Sequence, residues 1–392
     1  MRSSLAAVAA LMLIGFWFSA SQNVDTPKTV RFSKKRLFVT NYQAASVADI
    51  NRDGKPDIVS GPYWFAGPGF EPHAFRANQG AGNYLHSNSD LPYDVDGWTD
   101  VIVGAWGEEG IVWFKNPGPE RLMLGHPWER RQLTPTKGKI ERTDLHDYDG
   151  DGIPEIHTMS YVKQEPSDVY RFTKKPDGSP SVVKFVLGLE GGGHGYAWGD
   201  VNGDGREDFL TEIGWYERPA GNPFAAPWKL HPETALPHPS CPFAVMDVNR
   251  DGRLDILFGR AHAYGIYWWE QQPPQPDGTT VWKKHVIDES WSQGHVVGLA
   301  DLDGDGVEEL VSGKCVYAHA KGDPGTEDPA VFYYYRWNQA ASGFTRHTIA
   351  ASGENIGLGR QLTMADLNGD GRIDIVAPGH FGLYVLINEG YK

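Results

Sequence analysis

From about residue 30 onward, apolar residues come in short runs rather than in a helical stripe. Ile58-Val59, Val101-Ile-Val103, Ile256-Leu-Phe258 and Ile375-Val376 each follow an acidic, glycine-containing segment and stop after two or three residues. Runs of this length, bounded by Gly, Asn and Asp, predict β-strands. The acidic segment recurs seven times. The first copies are Asp49-Ile-Asn51-Arg-Asp53-Gly54-Lys-Pro-Asp57, a shortened Asp94-Val-Asp96-Gly97-Trp-Thr-Asp100, Asp147-Tyr-Asp149-Gly-Asp151-Gly152-Ile-Pro-Glu155 and Asp200-Val-Asn202-Gly-Asp204-Gly205-Arg-Glu-Asp208. The others are Asp247-Val-Asn249-Arg-Asp251-Gly252-Arg-Leu-Asp255, Asp301-Leu-Asp303-Gly-Asp305-Gly306-Val-Glu-Glu309 and Asp366-Leu-Asn368-Gly-Asp370-Gly371-Arg-Ile-Asp374. The copies start 45 to 65 residues apart, room for four short strands per repeat, and predict an all-β, seven-bladed β-propeller.

Oxygen side chains at positions 1, 3, 5 and 9 with glycine at 6 form the wrapped hard-oxygen cage that calcium prefers. The strand that follows each loop, in place of a helix, excludes an EF-hand. Several structural calcium ions are therefore expected, held by the residues numbered in the copies above.

A second repeat, an aromatic, then basic residues, then an aliphatic, appears in Trp128-Glu-Arg-Arg-Gln-Leu133, Trp282-Lys-Lys-His-Val-Ile287 and Phe344-Thr-Arg-His-Thr-Ile349. It reads as the outer strand of a blade. Phe32-Ser-Lys-Lys-Arg-Leu37 repeats it ahead of the first loop, whereas Tyr384-Val-Leu-Ile387 is followed by no such strand. The N-terminal strand is thus expected to complete the seventh blade and remove the open edge.

Arg2, the apolar stretch Leu5 to Phe18 and small residues near Ala20 predict a signal peptide over residues 1–21, too short for a membrane span, and a periplasmic or extracellular protein. Residues 22–392 are expected to be one propeller domain. The two cysteines, Cys241 and Cys315, are open to a disulfide, to free thiols or, for Cys241, to a metal. Of the 50 acidic residues behind the formal charge of −14, 23 occupy loop ligand positions. The acidity therefore signals bound cations and argues against a nucleic-acid partner.

The loops with their following strands resemble the FG-GAP or VCBS-type repeats of integrin-like propellers, with copy two shortened. Gly193-His194-Gly195-Tyr-Ala-Trp-Gly199-Asp200 and Gly214-Trp215-Tyr216-Glu217-Arg218-Pro219 resemble the propeller portion of aldos-2-ulose dehydratase and related secreted proteins. That resemblance implies a metal-carrying propeller acting in sugar elimination chemistry. It also implies that each inner strand starts at the channel mouth opposite the calcium loops. Six residues before each loop stand Gln43, Asn88, Glu141, His194, Cys241, His295 and Arg360, all polar or metal-capable.

His194 and His295 share this register in blades four and six, with Cys241 and His238 between them, a donor set for zinc or another transition ion; His86 is a weaker candidate. A second tier after the second strands comprises Tyr63, Trp106, Tyr161, Arg260, His262, Lys314 and His380. From it and the ring come a base (Tyr161, His262 or His380) and a cation for developing negative charge (Arg260, Lys314 or Arg360). His73, His231, His285 and His347 fall in the outer-strand pattern, and His146 and His157 flank the third loop; packing is expected for all six. Packing between blades is likewise expected of Trp113, Trp215, Trp268 and Trp269. The function these residues suggest is metal-assisted β-elimination on a keto-sugar or uronate, against the alternative of a non-catalytic propeller binding glycan or protein, with a polysaccharide lyase as a third reading.

Overall fold

The computed structural model describes residues 29–77, 87–94, 96–105, 110–134, 140–160, 162, 165–191, 193–317 and 322–391. The expected leader, His86, Trp106 and Tyr161 lie outside them. The described chain forms seven four-stranded antiparallel sheets. Blade one runs from β2 (Ser46–Ala48) to β5 (Glu71–Ala74), blade two from β6 (Ser87–Asp94) to β9 (Glu129–Thr134), and blade three from β10 (Ile140–His146) to β13 (Pro180–Gly188). Blade four spans β14 (Tyr196–Gly199) to β17 (Lys229–His231), blade five β18 (Ala244–Met246) to β21 (Val281–Ser292), and blade six β22 (Gly294–Ala300) to β25 (Gly343–Ala350). Blade seven joins β26 (Thr363–Ala365), β27 (Asp374–Gly379) and β28 (Gly382–Tyr391) to β1 (Val30–Phe38), whose Phe32 to Arg36 run antiparallel to Asn388 to Tyr384. Inner strands meet around the axis: β2 touches β6 and β26, and β18 touches β14 and β22.

Second strands are buried on both faces, which is why they read as continuous apolar runs without alternation; β27 and β23 (Glu309–Lys314) are buried throughout. Fourth strands face solvent, and β9 exposes four consecutive residues, Glu129 to Gln132. Their histidines stack on third-strand aromatics: His73 on Trp64, His231 on Trp215, His285 on Trp268 and His347 on Tyr334, with ring centroids 4.5, 4.0, 4.2 and 4.6 Å apart. His146 stacks on Trp198, and the buried His157 bonds the Tyr148 hydroxyl through Nδ1. Trp215, Trp268 and Trp269 belong to one cluster with Ile256, Leu257 and Leu310, spanning blades four to six. No helix among the described residues is long and apolar enough to cross a membrane.

Each acidic segment joins the first strand of a blade to the second. Its position-9 carboxylate is buried and ties the loop to the end of the third strand. Asp255 accepts from the Val248 N–H (3.2 Å) and the Gln271 N–H (2.8 Å), and Asp374 from those of Leu367 (2.9 Å) and Asn388 (2.7 Å). A cation covers the position-5 side in several blades. In blades four, five and seven it is the position-7 arginine: Arg206 on Asp204, Arg253 on Asp251 and Arg372 on Asp370. In blades three and six position 7 is Ile153 or Val307 and the guanidinium comes from the third strand, Arg171 on Asp149 and Glu155, Arg336 on Asp303 and Asp305. These two blades also carry Asp at position 3 and Glu at position 9. In each, three carboxylates bring donor atoms within 4.8 Å of one another: Asp147, Asp149 and Glu155; Asp301, Asp303 and Glu309.

Candidate metal centre at the channel mouth

At the end opposite the loops, glycine sets the geometry. His194 lies between Gly193 (φ 109°) and Gly195 (φ 87°), just before β14. A Cβ on Gly195 would lie 2.5 Å from Pro239 Cγ and 2.5 Å from the Ser240 carbonyl oxygen, so only glycine lets this segment rest on the 239–240 backbone. That approach sets the Pro239 carbonyl 2.6 Å from His194 Nδ1. A carbonyl can only accept, so Nδ1 carries the hydrogen and Nε2 keeps its lone pair. Glu212 accepts the His194 backbone N–H at 2.7 Å. Burial, reinforced by Arg360 and His238, lowers the His194 pKa to about 4, so the ring is neutral at pH 7.

His262 sits in the turn between β19 (Asp255–Gly259) and β20 (Tyr264–Gln272), held by Ala261 N–H to the His238 carbonyl (3.2 Å) and Gln293 N–H to the Ala263 carbonyl (2.9 Å). Its Nδ1 lies 3.0 Å from an Asp323 carboxylate oxygen, which again assigns the hydrogen to Nδ1 and the lone pair to Nε2. Asp323 belongs to the connection between β23 and β24 (Phe332–Asn338). His295 is the second residue of β22; beside it blades five and six approach so closely that a Cβ on Gly259 would lie 2.4 Å from the Gly294 carbonyl oxygen.

The imidazoles of His194, His262 and His295 converge from blades four, five and six. Ring centroids are 4.8 Å apart for His194 and His262, 4.7 Å for His194 and His295 and 5.3 Å for His262 and His295, and one nitrogen from each lies within 4.8 Å of the others. Glu141 Oε1 stands 3.6 Å from His194 Nε2. His238, more than half exposed, lies at the rim with Nδ1 3.4 Å from Glu212 Oε1. Three imidazoles, two of them orientated by an acceptor on the far nitrogen, fit a borderline-soft divalent ion with an open position.

The structure thus joins His194 and His295 to His262, which the sequence suggested as a base, rather than to Cys241 or His238. The Cys241 thiol is packed with Tyr148, Tyr196 and Phe209, and burial raises its pKa. Both cysteines are free and buried, which removes the disulfide. Lys314 is fully buried, and its ammonium donates to Ser292 Oγ (2.9 Å), Gln293 Oε1 (3.0 Å) and the Gly325 carbonyl (2.6 Å), leaving no hydrogen for a substrate. Arg260 lines a separate cavity of about 230 Å³ on the flank of blade five, with Tyr267, Trp269 and Lys284. His380 is exposed and rests against Tyr317 and Phe381. Arg360 is half-buried, its backbone N–H bonded to the Gln43 carbonyl at 2.8 Å, and its charge reaches His194.

Sequence reasoning missed Glu212 and Asp323. Glu212 closes the second strand of blade four, the register that supplied the second tier elsewhere, so a count along that blade would have found it. Asp323 lies in an irregular stretch where no register applies.

A family profile described as FG-GAP-like repeat matches residues 147–211 and 247–312. No curated protein sequence matches the chain. Among solved structures, a chain of the crystal structure of BBS1N in complex with ARL6DN, soaked with lead, superposes with a TM-score of 0.54 at 9% identity, covering 92% of this chain and 97% of the other. The mercury-soaked form of that complex gives 0.51 at 11% identity, covering 91% and 96%. Identities this low speak to fold alone. Matched repeats lying within a ring of seven four-stranded sheets make this chain an FG-GAP-type seven-bladed β-propeller.

Proposed function

We propose that the protein is a secreted carbon–oxygen lyase that performs metal-assisted β-elimination on a keto-sugar or uronate at the channel mouth. The observation that carries this reading is the His194, His262 and His295 trio, two members of which have Nδ1 held by Pro239 and Asp323. A zinc or similar ion bound there supplies a Lewis acid that polarises a sugar carbonyl or carboxylate and acidifies the neighbouring carbon. Glu141, beside His194, takes the proton from that carbon, in place of the bases suggested by sequence. Arg360 faces the negative charge that develops as the carbon–oxygen bond breaks. His238, exposed and paired with Glu212, returns a proton to the leaving oxygen. Calcium fills the acidic loops as scaffold, and the four-acid cages of blades three and six bind it most tightly, since they offer more charge than their neighbours.

The test is metal content, element by element, beside turnover of keto-sugars and uronates followed by the absorbance of the unsaturated product. About one transition ion per chain, lost together with turnover in His194→Ala/His295→Ala, is the expected outcome. Calcium alone, unchanged by the substitutions, with no turnover by the wild type, would leave a glycan-binding propeller.

A further inference from the structure

Lys314 is a lysine without exposure, and an ammonium in that position is costly unless every hydrogen finds an acceptor. All three do, and their destinations are informative. Ser292 and Gln293 lie where β21 passes into β22, whereas the third acceptor, the Gly325 carbonyl, belongs to the irregular connection after β23. That connection is fastened again by Gln293 Nε2 to Thr326 Oγ1 (3.1 Å), by Thr326 Oγ1 to the Asp323 carbonyl (2.8 Å) and by the Tyr264 hydroxyl to Asp328. Gly325 has φ 76°, and a Cβ there would lie 2.2 Å from Ser292 Oγ, so the close approach needs glycine. The fastened segment presents Asp323 to His262 Nδ1 across the boundary between blades five and six.

Propeller architecture alone does not need this ammonium. The equivalent register, five residues after loop position 9, holds Pro62, Ala105, Ser160, Ile213, Arg260 and Gly379 in the other blades. We infer that Lys314 is a positioning residue: it pins the 322–329 segment so that Asp323 fixes the tautomer and orientation of His262, and metal affinity at the channel mouth depends on this clamp. The inference rests on the metal reading proposed above.

Cobalt(II) titration of the calcium-loaded full chain, followed by its d–d absorption, tests it. Wild type is expected to bind one cobalt that His262→Ala removes. Asp323→Ala should weaken binding 10- to 100-fold, the usual effect of losing an outer-shell carboxylate. Lys314→Met should weaken it by a similar factor, and the double variant should be no weaker than Asp323→Ala alone, because Lys314 acts only through Asp323. Should Lys314→Met not fold, Thr326→Val cuts the second fastening with the ammonium in place and carries the same expectation of non-additivity, at a few-fold. Wild-type affinity in a folded Lys314→Met or Thr326→Val chain, or losses that multiply in the double variant, would overturn the clamp while the metal site stands. A wild type that takes up no cobalt sensitive to His262→Ala overturns the metal reading and the clamp with it.

Discussion

The two ends of the ring use equivalent positions in opposite ways. At the loop end, position 9 carries a carboxylate in every blade and performs the same local task, as Asp57, Asp208, Asp255 and Asp374 each join a loop backbone to a later hairpin. At the mouth, one register carries Gln43, Glu141, His194, Cys241, His295 and Arg360 in turn, and no blade repeats another except for the two histidines. Repetition at the first end distributes stability over many sites. Divergence at the second concentrates chemistry where three blades meet. Losses at the loop end should therefore accumulate in stability, and losses at the mouth should fall on ligand binding.

The largest effect expected is from opening the ring. Deleting residues 1–40 removes β1, leaves the β28 edge unpaired and takes Val30 and Phe32 out of the cluster that holds Leu386 and Ile375. The truncated chain should show no cooperative unfolding by circular dichroism; an unshifted melt would mean that β1 is dispensable.

Chelation comes next. A site saturated a hundredfold above its dissociation constant stabilises by about 2.7 kcal/mol, so two such loops contribute about 5 kcal/mol and their loss lowers the melting temperature by several degrees. Metal removal should also change the pH dependence. Burial raises Asp100 and Glu309 to about 7 and Asp208 and Asp255 to about 6. A raised folded-state value means that the folded chain keeps protons the unfolded chain releases, so this contribution is present at low pH and is lost as pH rises from about 4 to 7. Chelated protein should melt higher near pH 5 than near pH 7.5, and added calcium should recover the higher pH most. An unchanged melting temperature in excess chelator would break the assignment of calcium to the loops.

Within one loop the comparison narrows. In chelator, Asp255→Ala leaves the Val248 and Gln271 N–H groups without their acceptor and should cost about 3 kcal/mol in denaturant unfolding. Asp251→Ala removes an exposed partner of Arg253 and should cost less than about 1 kcal/mol. Equal costs would mean that position 9 is not the fastening of the blade.

Legibility follows the same division. Blade number and loop placement were readable because Asp and Gly recur at fixed spacing and each copy reports the same backbone geometry. The two inner-strand histidines were readable from register as well. The third donor was not, because His262 reaches the trio through the turn at 260–263, whose course depends on Gln293 of the next blade. Lys314 was misjudged for a related reason: sequence gives a charge and a register, but only packing shows its ammonium turned toward Ser292, Gln293 and Gly325. Asp323 depends on a long connection with no periodicity at all.

The smallest effect separates histidines of the two kinds. His231 stacks on Trp215 at 4.0 Å and bonds Glu217 at 2.8 Å, with one ring face toward solvent. Phenylalanine keeps the stack and loses only a half-exposed hydrogen bond, so His231→Phe should cost about 1 kcal/mol or less and leave metal content untouched. His295, fully buried among His194 and His262, offers a ring of similar size. His295→Phe should shift thermal unfolding little more than His231→Phe does, yet remove the transition ion. If the two exchanges reduce stability alike and neither changes metal content, the mouth histidines are packing residues of the same kind as those on the outer strands, and the difference between the two regions is one of burial rather than chemistry.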